Sequence, residues 1–558
     1  MPRYGPRPAG PLVLGASCLI LVLAVSLVPV AAAVIRAPGS LPNGANEDQG
    51  FYLWAVARAM AAPSFRDFIN NCDWPSAGCF DLRMVTQEWG SFYVIAKLGH
   101  AAGLGAPTAL AAWYLVSLVL DAIAAMAFIG RISRNWILAG AVAPLVGLQQ
   151  SLLYRLARHL ALVSMWPLFV AAWALWEVLR GIQAGASRTR LLLWVAALSA
   201  SLALTAFTSL YYLMFAGLLL PVEAIVVVAV VYGREQRGAL LRRPDVKPLL
   251  AGLAAGGLAV GAVLVSHRPG SGALRQPPLV RSTLDVFKCS SRLVDYVKPS
   301  AQAGAPWPFP QLGLAFTNED LAGRWSGVEY AFLGAVLIGL LLISALRLAY
   351  LAASRRASSG SWLGDDDVRV GVALTLVAIY AVGLSTLYGG LAVHRFVPAA
   401  RCVSRIAPIV ALMLAALVAL AWRRARGASV ALAIGVVFLG SVEMRASPFL
   451  APEFVQSTAK EAAAAEALRP LCANGPAVLV PPVGDLLTGP YRAYYIAQIA
   501  GCRLGNVTVA GVPLQALSSS PGAIVRWGEG VYQRLDLEID APLEKDERRT
   551  TPRRVFPR

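Results

Sequence analysis

Apolar residues run along this chain in long unbroken blocks, separated by short segments in which Arg recurs. A bilayer core of about 30 Å is crossed by about 20 apolar residues in a helix. Eleven blocks read as spans of this kind: 11–35, 106–129, 135–149, 160–179, 191–209, 212–232, 248–266, 329–352, 370–390, 406–422 and 428–444. The third and the last are short. The first follows Arg3 and Arg7 and ends in Ala31-Ala32-Ala33, as a signal peptide does, but its apolar run is too long for one and predicts an anchor.

Lys and Arg set the orientation of such a bundle, because they are retained on the cytoplasmic side. With the N-terminus inside, 18 of them fall in the inner segments, among them Arg131, Arg134, Arg180, Arg188 and Arg190. The short outer loops hold five: Arg155, Arg158, Arg395, Arg401 and Arg405. The bias supports eleven spans with the C-terminus outside. Residues 36–105, 267–328 and 445–558 then form three large outer segments.

The last of these has a different pattern. Thr458-x-x-Glu461 is a capping box that opens an Ala/Glu helix reaching about Leu468, closed by Pro470 and Gly475. Ala477 to Val480 reads as a buried strand before Pro481-Pro482, and Glu544 to Arg558 is charged and predicted to be disordered. The expected fold is an α-helical polytopic membrane protein. Residues 1–444 form the transmembrane domain with outer loops 36–105 and 267–328, and residues 445–558 a small extracytoplasmic α/β domain.

Composition agrees. The chain is 57% hydrophobic and 14% charged, against roughly 45–50% and 25% in soluble domains. That excludes a water-soluble enzyme and a disordered chain alike. The net charge of +18 is largely accounted for by the inner loops, so it calls for no nucleic acid partner. Zinc spacings, a P-loop and a nucleophile elbow are absent from the sequence, and no metal-ligand set stands out. Cys72/Cys79 and Cys472/Cys502 lie in outer segments that permit disulfides, and their bonding is left open. Cys18 lies in a span and reads as packing.

Candidate chemistry gathers on the outer face. The first outer loop opens with Asn46-Glu47-Asp48, followed by an amphipathic run from Phe51 to Met60 suited to the membrane interface. A carboxylate there can take a proton from a sugar hydroxyl or hold a metal; the plainer reading is a solvated loop acid or helix cap. Asp73, Asp81 and Glu88 are second-rank candidates in the same loop. Arg155, Arg158 and His159 precede one outer span end, and His394, Arg395 and Arg401 through Arg405 precede another. Arg281, Lys288, Arg292 and Lys298 lie in the middle loop. The guanidinium fork matches phosphate, although snorkelling to lipid headgroups is the plainer reading of any one of these residues.

Several stretches, in order, resemble the GT-C superfamily of polytopic membrane glycosyltransferases. After the acids of the first loop come Arg158-His159-Leu160-Ala161-Leu162-Val163 and Trp166-Pro167-Leu168, then Ser209-Leu210-Tyr211-Tyr212-Leu213-Met214. Val294-Asp295-Tyr296-Val297-Lys298-Pro299-Ser300 and Glu329-Tyr330-Ala331-Phe332-Leu333-Gly334 follow, and Arg395-Phe396-Val397-Pro398-Ala399-Ala400-Arg401 precedes a late span. The resemblance covers most of residues 1–420. It implies sugar transfer on the outer face of a bacterial inner (cytoplasmic) membrane, from a polyprenyl-phosphate-linked donor to a glycan, lipid or protein acceptor. It places the catalytic base at Asp48, with Glu47 as alternate, and implies inversion by single displacement. Arg158, His159, Arg292, Lys298, Glu329, His394, Arg395 and Arg401 are the substrate-binding candidates. Some relatives use a divalent cation such as Mg or Mn. Two other classes compete: a transporter or flippase of lipid-linked sugars, and a non-catalytic membrane assembly protein. A carrier needs ionisable or broken-helix sites near the midplane, for which Asp121 and Glu223 are the main candidates.

Overall fold

A computed structural model describes residues 10–45, 48–71, 80–81, 89–158, 162–232, 254, 256–258, 260–262, 283–299, 315, 331–356, 366–397, 402–473, 478–480, 489–504, 508–509, 512–513, 524–528 and 531–535. The chain divides into two compact units. One comprises Met1–Gly44, Gln87–Arg268 and Gln276–Ser457; the other comprises Ala45–Thr86, Pro269–Arg275 and Thr458–Arg558.

The first unit is built from long apolar helices: α1 Gly10–Arg36, α4 Trp89–Ala101, α5 Ala106–Ser133, α6 Trp136–Gly147, α7 Gln150–Arg158, α8 Trp166–Ala184, α9 Arg188–Thr208, α10 Leu210–Val230, α11 Thr283–Cys289, α12 Ala335–Arg356, α13 Asp366–Ser385, α14 Leu387–Phe396, α15 Ala407–Ala421 and α16 Arg426–Arg445. Seven stretches among the described residues are long and apolar enough to cross a membrane: α1, α5, α9, α10, α13, residues 403–421 and α16. The bent pair α6–α7 makes an eighth if counted as one span. Most of the expected span at 248–266 lies outside the described residues. Helix α8 covers the Trp-rich block 166–184, where Glu177 and Arg180 dilute the apolar character. Only Ala335–Tyr350 of α12 is apolar. The chain is an integral membrane protein of many helical spans.

Helix α15 is apolar on every side and is buried along almost its whole length, as a helix at the centre of a bundle must be. Around it, α5 packs on α6, α8 on α9 and α13 on α15. The α1–α6 contact is a backbone approach: a Cβ on Gly15 would sit 2.1 Å from the Trp136 carbonyl oxygen, and one on Gly140 1.9 Å from that of Gly15. Small residues at such a crossing let main chains touch, which replaces the hydrophobic drive that lipid does not supply. Asn135 caps α6 by accepting from Leu138 N at 3.3 Å, and donates to Ser429 Oγ at 3.0 Å and the Ala419 carbonyl at 3.3 Å. One side chain thus ties three helices.

The short strands Ser40–Pro42 and Val455–Ser457 pair antiparallel within this unit. The unit therefore runs to Ser457 rather than ending at residue 444, because strand pairing holds that segment to the end of α1.

In the second unit, α2 Asp48–Ala61 is followed by the short α3 Phe65–Ile69 and packs on α18 Gly489–Ala500, which also packs on α17 Ala459–Ala473. The interfacial amphipathic helix expected for 51–60 is instead buried from Phe51 through Val56, because α18 covers it. Helix α17 continues through Pro470 to Ala473. A four-stranded sheet runs in the order Val531–Leu535, Ile524–Gly528, Val478–Val480, Arg503–Leu504. Its first pair is an antiparallel hairpin, and Val478–Val480 lies parallel to both of its neighbours. Tyr495 on α18 is buried, and burial, with the Glu461 carboxylate adding to it and a Thr458 hydrogen bond opposing it, pushes the phenol pKa upward.

Candidate active site

In the first unit the polar residues converge where helices break. Helices α6 and α7 meet at a bend of 41°. Gln149, at the break, donates from Nε2 to the Phe332 carbonyl at 3.0 Å. Arg155, on α7, is fully buried. Its Nη1 donates to the Tyr212 hydroxyl at 2.7 Å and to the Leu162 carbonyl at 3.3 Å, and its Nη2 donates to the Arg405 carbonyl at 2.8 Å. Tyr212 in turn donates to the Leu162 carbonyl. Asp121 on α5 is fully buried close to Arg155. A buried guanidinium needs such partners, since an unpaired charge in a low-dielectric interior is expensive.

Arg405 belongs to the 3₁₀ turn Val403–Ile406. Its own guanidinium is buried and lies 5.0 Å from the centre of the Tyr211 ring, a cation–π contact. Two guanidinium groups are therefore held by one pair of adjacent tyrosines at the start of α10, which Ser209 precedes.

The turn is fixed from its other side. Cys402 is disulfide-bonded to Cys289 at the end of α11, 113 residues earlier. Ser291 N donates to the Ser385 carbonyl at 2.9 Å, and the Tyr296 hydroxyl lies 2.7 Å from Ser385 Oγ. Burial holds the Tyr296 phenol far above the usual tyrosine pKa, with the neighbouring Asp295 charge adding to the effect, so it stays a neutral donor. Leu333 N donates to the Tyr296 carbonyl at 3.1 Å. After it Gly334 adopts φ +93°, and Glu443 reaches across from α16 to accept from Ala335 N at 2.6 Å and Val336 N at 3.0 Å. The carboxylate caps α12, where the positive end of the helix dipole favours it.

The structure thus joins segment 162–168 to 209–214 and segment 294–299 to 331–334, pairs that are far apart in the sequence. Of the expected substrate-binding residues, Arg292 is half exposed and paired with the buried Asp295, Nη2 to Oδ1 at 3.2 Å. Lys298 follows the turn and is partly buried. His394 and Arg395 occupy the last turn of α14, where a helix C-terminus favours cations. Arg158 ends α7 and its side chain lies outside the described residues, as do His159, Glu329 and Arg401. In the second unit Asp48 is the first residue of α2; its side chain and Glu47 lie outside the described residues. Asp73 and Glu88 do too, while the backbone of Asp81 pairs with Asn70. Among the described residues no group of three or more His, Cys, Asp or Glu is placed to hold a metal ion.

Sequence reading passed over Arg155 and Arg405 as site residues, although both stood among the outer basic residues. The available signal was spacing: Arg155 and Arg158 share one face of a helix. The Cys289–Cys402 bond was missed for a different reason, since neither cysteine has a sequence neighbour that marks it. Cys502 is also disulfide-bonded, Cys18 is free, and Cys72 and Cys79 lie outside the described residues.

No family model matches this chain, and no curated protein does. It is similar to the solved structure of the arabinofuranosyltransferase AftD from Mycobacteria, with 14% identity and a TM-score of 0.45 over 86% of this chain and 30% of that one. It is similar to the Archaeoglobus fulgidus oligosaccharyltransferase solved with Zn and sulfate, with 12% identity and a TM-score of 0.49 over 88% of this chain and 62% of that one. ArnT from Cupriavidus metallidurans, bound to undecaprenyl phosphate, gives 15% identity and a TM-score of 0.33 over 89% and 86%. The chain spans about a third of the arabinofuranosyltransferase and under two thirds of the oligosaccharyltransferase. The solved structures to which this chain is similar thus include an arabinofuranosyltransferase and an oligosaccharyltransferase.

Proposed function

We propose that this chain is a GT-C-type membrane glycosyltransferase that moves a sugar from a polyprenyl-phosphate donor to a glycan, lipid or protein acceptor on the outer face of a bacterial inner membrane. The observation that supports the reading is the meeting at Arg155 of two of the segments with GT-C resemblance, at Leu162 and Tyr212, with Arg405 and Tyr211 alongside. The sugar is transferred in one displacement with inversion. A carboxylate of the first outer loop, Asp48 or its alternate Glu47, takes the proton of an acceptor hydroxyl as that oxygen bonds to the anomeric carbon. The bond from that carbon to the phosphate oxygen breaks, and polyprenyl phosphate leaves with the electron pair. Guanidinium groups stabilise the charge as it develops there, which lowers the barrier only if they are already in place. A leaving phosphate needs little protonation, so one carboxylate suffices where glycoside hydrolysis uses two.

The N-terminus is cytoplasmic in this reading, and residues 267–328 and 391–405 lie outside. The Cys289–Cys402 bond supports this, because it puts both segments in one compartment, and disulfides persist in oxidising ones.

The test is Asp48→Asn and Glu47→Gln, each checked for normal membrane insertion, with mass profiles of lipid-linked sugars and surface glycans compared with wild type and a deletion strain. Reproduction of the deletion phenotype by Asp48→Asn alone, with glycans one sugar short, is the expected result. If neither change matters while deletion alters the surface, catalysis at this loop is wrong.

A further inference from the structure

The far end of α8 carries a second basic constellation that the transfer reaction does not use. Glu177, almost fully buried, accepts from Arg131 through both oxygens, Nε at 2.6 Å and Nη2 at 2.8 Å. Arg190 approaches the same carboxylate at 3.8 Å. Arg180 stacks over the Trp176 ring, 6.0 Å from its centre. These side chains, with Arg134, Gly181, Ala184 and Ala186, line a cavity of about 140 Å³. Four guanidinium groups and one carboxylate thus line the cavity, an excess of three positive charges. Arg131 lies in the last turn of α5 and Arg134 is its C-cap, where the helix dipole favours cations. Arg190 is different. It lies in the first turn of α9, which holds no acidic residue and whose N-cap, Ser187, makes no side-chain cap hydrogen bond, so the dipole opposes it. An anion in the cavity would relieve both the excess charge and this conflict.

We propose that this cavity binds a phosphate-bearing anion, with the head group of an anionic phospholipid in the cytoplasmic leaflet and free phosphate as the two sources of that chemistry. The bidentate Glu177–Arg131 pair fixes one wall, and Arg134 and Arg190, more exposed, are the mobile arms that close on phosphate oxygens. From Met165, beside Arg155, to Arg180 is about 22 Å along α8 at 1.5 Å per residue, so the cavity lies at the opposite end of this helix from the outer site. Basic cavities between helices at the cytoplasmic surface recognise lipid head groups through this geometry. The proposal rests on the orientation given by the Lys and Arg count, not on sugar transfer.

The test reconstitutes the full chain in phosphatidylcholine nanodiscs with and without phosphatidylglycerol, and separately titrates inorganic phosphate. Thermal midpoints and lipids retained in native mass spectra are read for wild type, the double variant Arg134→Gln/Arg190→Gln and the control Arg369→Gln/Arg426→Gln. Wild type and control gain thermal stability with phosphatidylglycerol, and the cavity variant loses at least about tenfold in apparent affinity. Insensitivity of that gain to inorganic phosphate identifies the lipid; an equal gain from phosphate alone identifies the free anion. Equal responses in all three proteins, or an equal loss in the control, overturn the proposal in favour of diffuse surface charge.

Discussion

Gly334 and Glu443 meet at the start of α12, and the meeting has a measurable coupling. A Cβ on Gly334 would lie 3.0 Å from Glu443 Oε1, the oxygen that accepts from Ala335 N at 2.6 Å. Glu443→Ala removes two hydrogen bonds to a charged group, at about 1.5–3 kcal/mol each, and a favourable dipole contact of about 0.3–1 kcal/mol. Relief of carboxylate desolvation offsets part of this, so the expected loss is about 3 kcal/mol. Gly334→Ala costs about 1–2 kcal/mol for a side chain at positive φ, and about 1 kcal/mol more because the carboxylate must back away from its donor. In a Glu443→Ala background the second cost vanishes. The double variant should therefore be about 1 kcal/mol more stable than the sum of the single losses predicts, read from midpoints of equilibrium unfolding in mixed detergent. Additivity within about 0.5 kcal/mol would refute the capping role of Glu443.

Three more outcomes follow from the described contacts. Arg155→Lys keeps the charge but cannot reach the Tyr212 hydroxyl and the Arg405 carbonyl together; a stability loss of about 2 kcal/mol is expected in the same unfolding assay, with sugar transfer falling further. Cys289→Ser with Cys402→Ser opens a loop of 113 residues and should cost about 2–5 kcal/mol; a matching loss on treating the wild type with reductant checks it. Tyr296→Phe should cost about 1 kcal/mol at neutral pH. Because burial raises its pKa in the fold, the Tyr296 contribution is complete below about pH 10, where an unfolded phenol titrates, and declines as pH rises above it; the Phe variant should lack that alkaline decline.

Long apolar blocks were legible because a span must satisfy its backbone within one helix, which imposes a length and a composition. Helices α1, α5, α13 and α16 fall where their blocks predicted. Helix α7 was hidden, since the third block ends at residue 149 and the stretch after it, with Arg155 and Arg158, reads as a short outer loop. Helix α2 misled for a related reason: an alternation of apolar and polar residues looks the same whether lipid or α18 covers the apolar face. The order of outer basic residues was visible in sequence, but which of them is buried was not. Arg155 and Arg158 differ by three positions, and only tertiary neighbours such as Tyr212 and the Arg405 carbonyl set Arg155 apart.

The Cys289–Cys402 bond also governs how the molecule comes apart. It closes a covalent ring that contains α12, α13 and α14. A single protease cut at any peptide bond inside that ring leaves two pieces that migrate as one until the sulfurs are reduced. A cut before Cys289 or after Cys402, and outside the loop closed by the bonded Cys502, releases a fragment at once. The same protease, read on reducing and non-reducing gels, therefore sorts its cleavage sites into those within the ring and those outside it. The cysteine pair also fixes a moment in biosynthesis: the ring cannot close until the ribosome has delivered residue 402 and it has reached the side of the membrane where residue 289 lies.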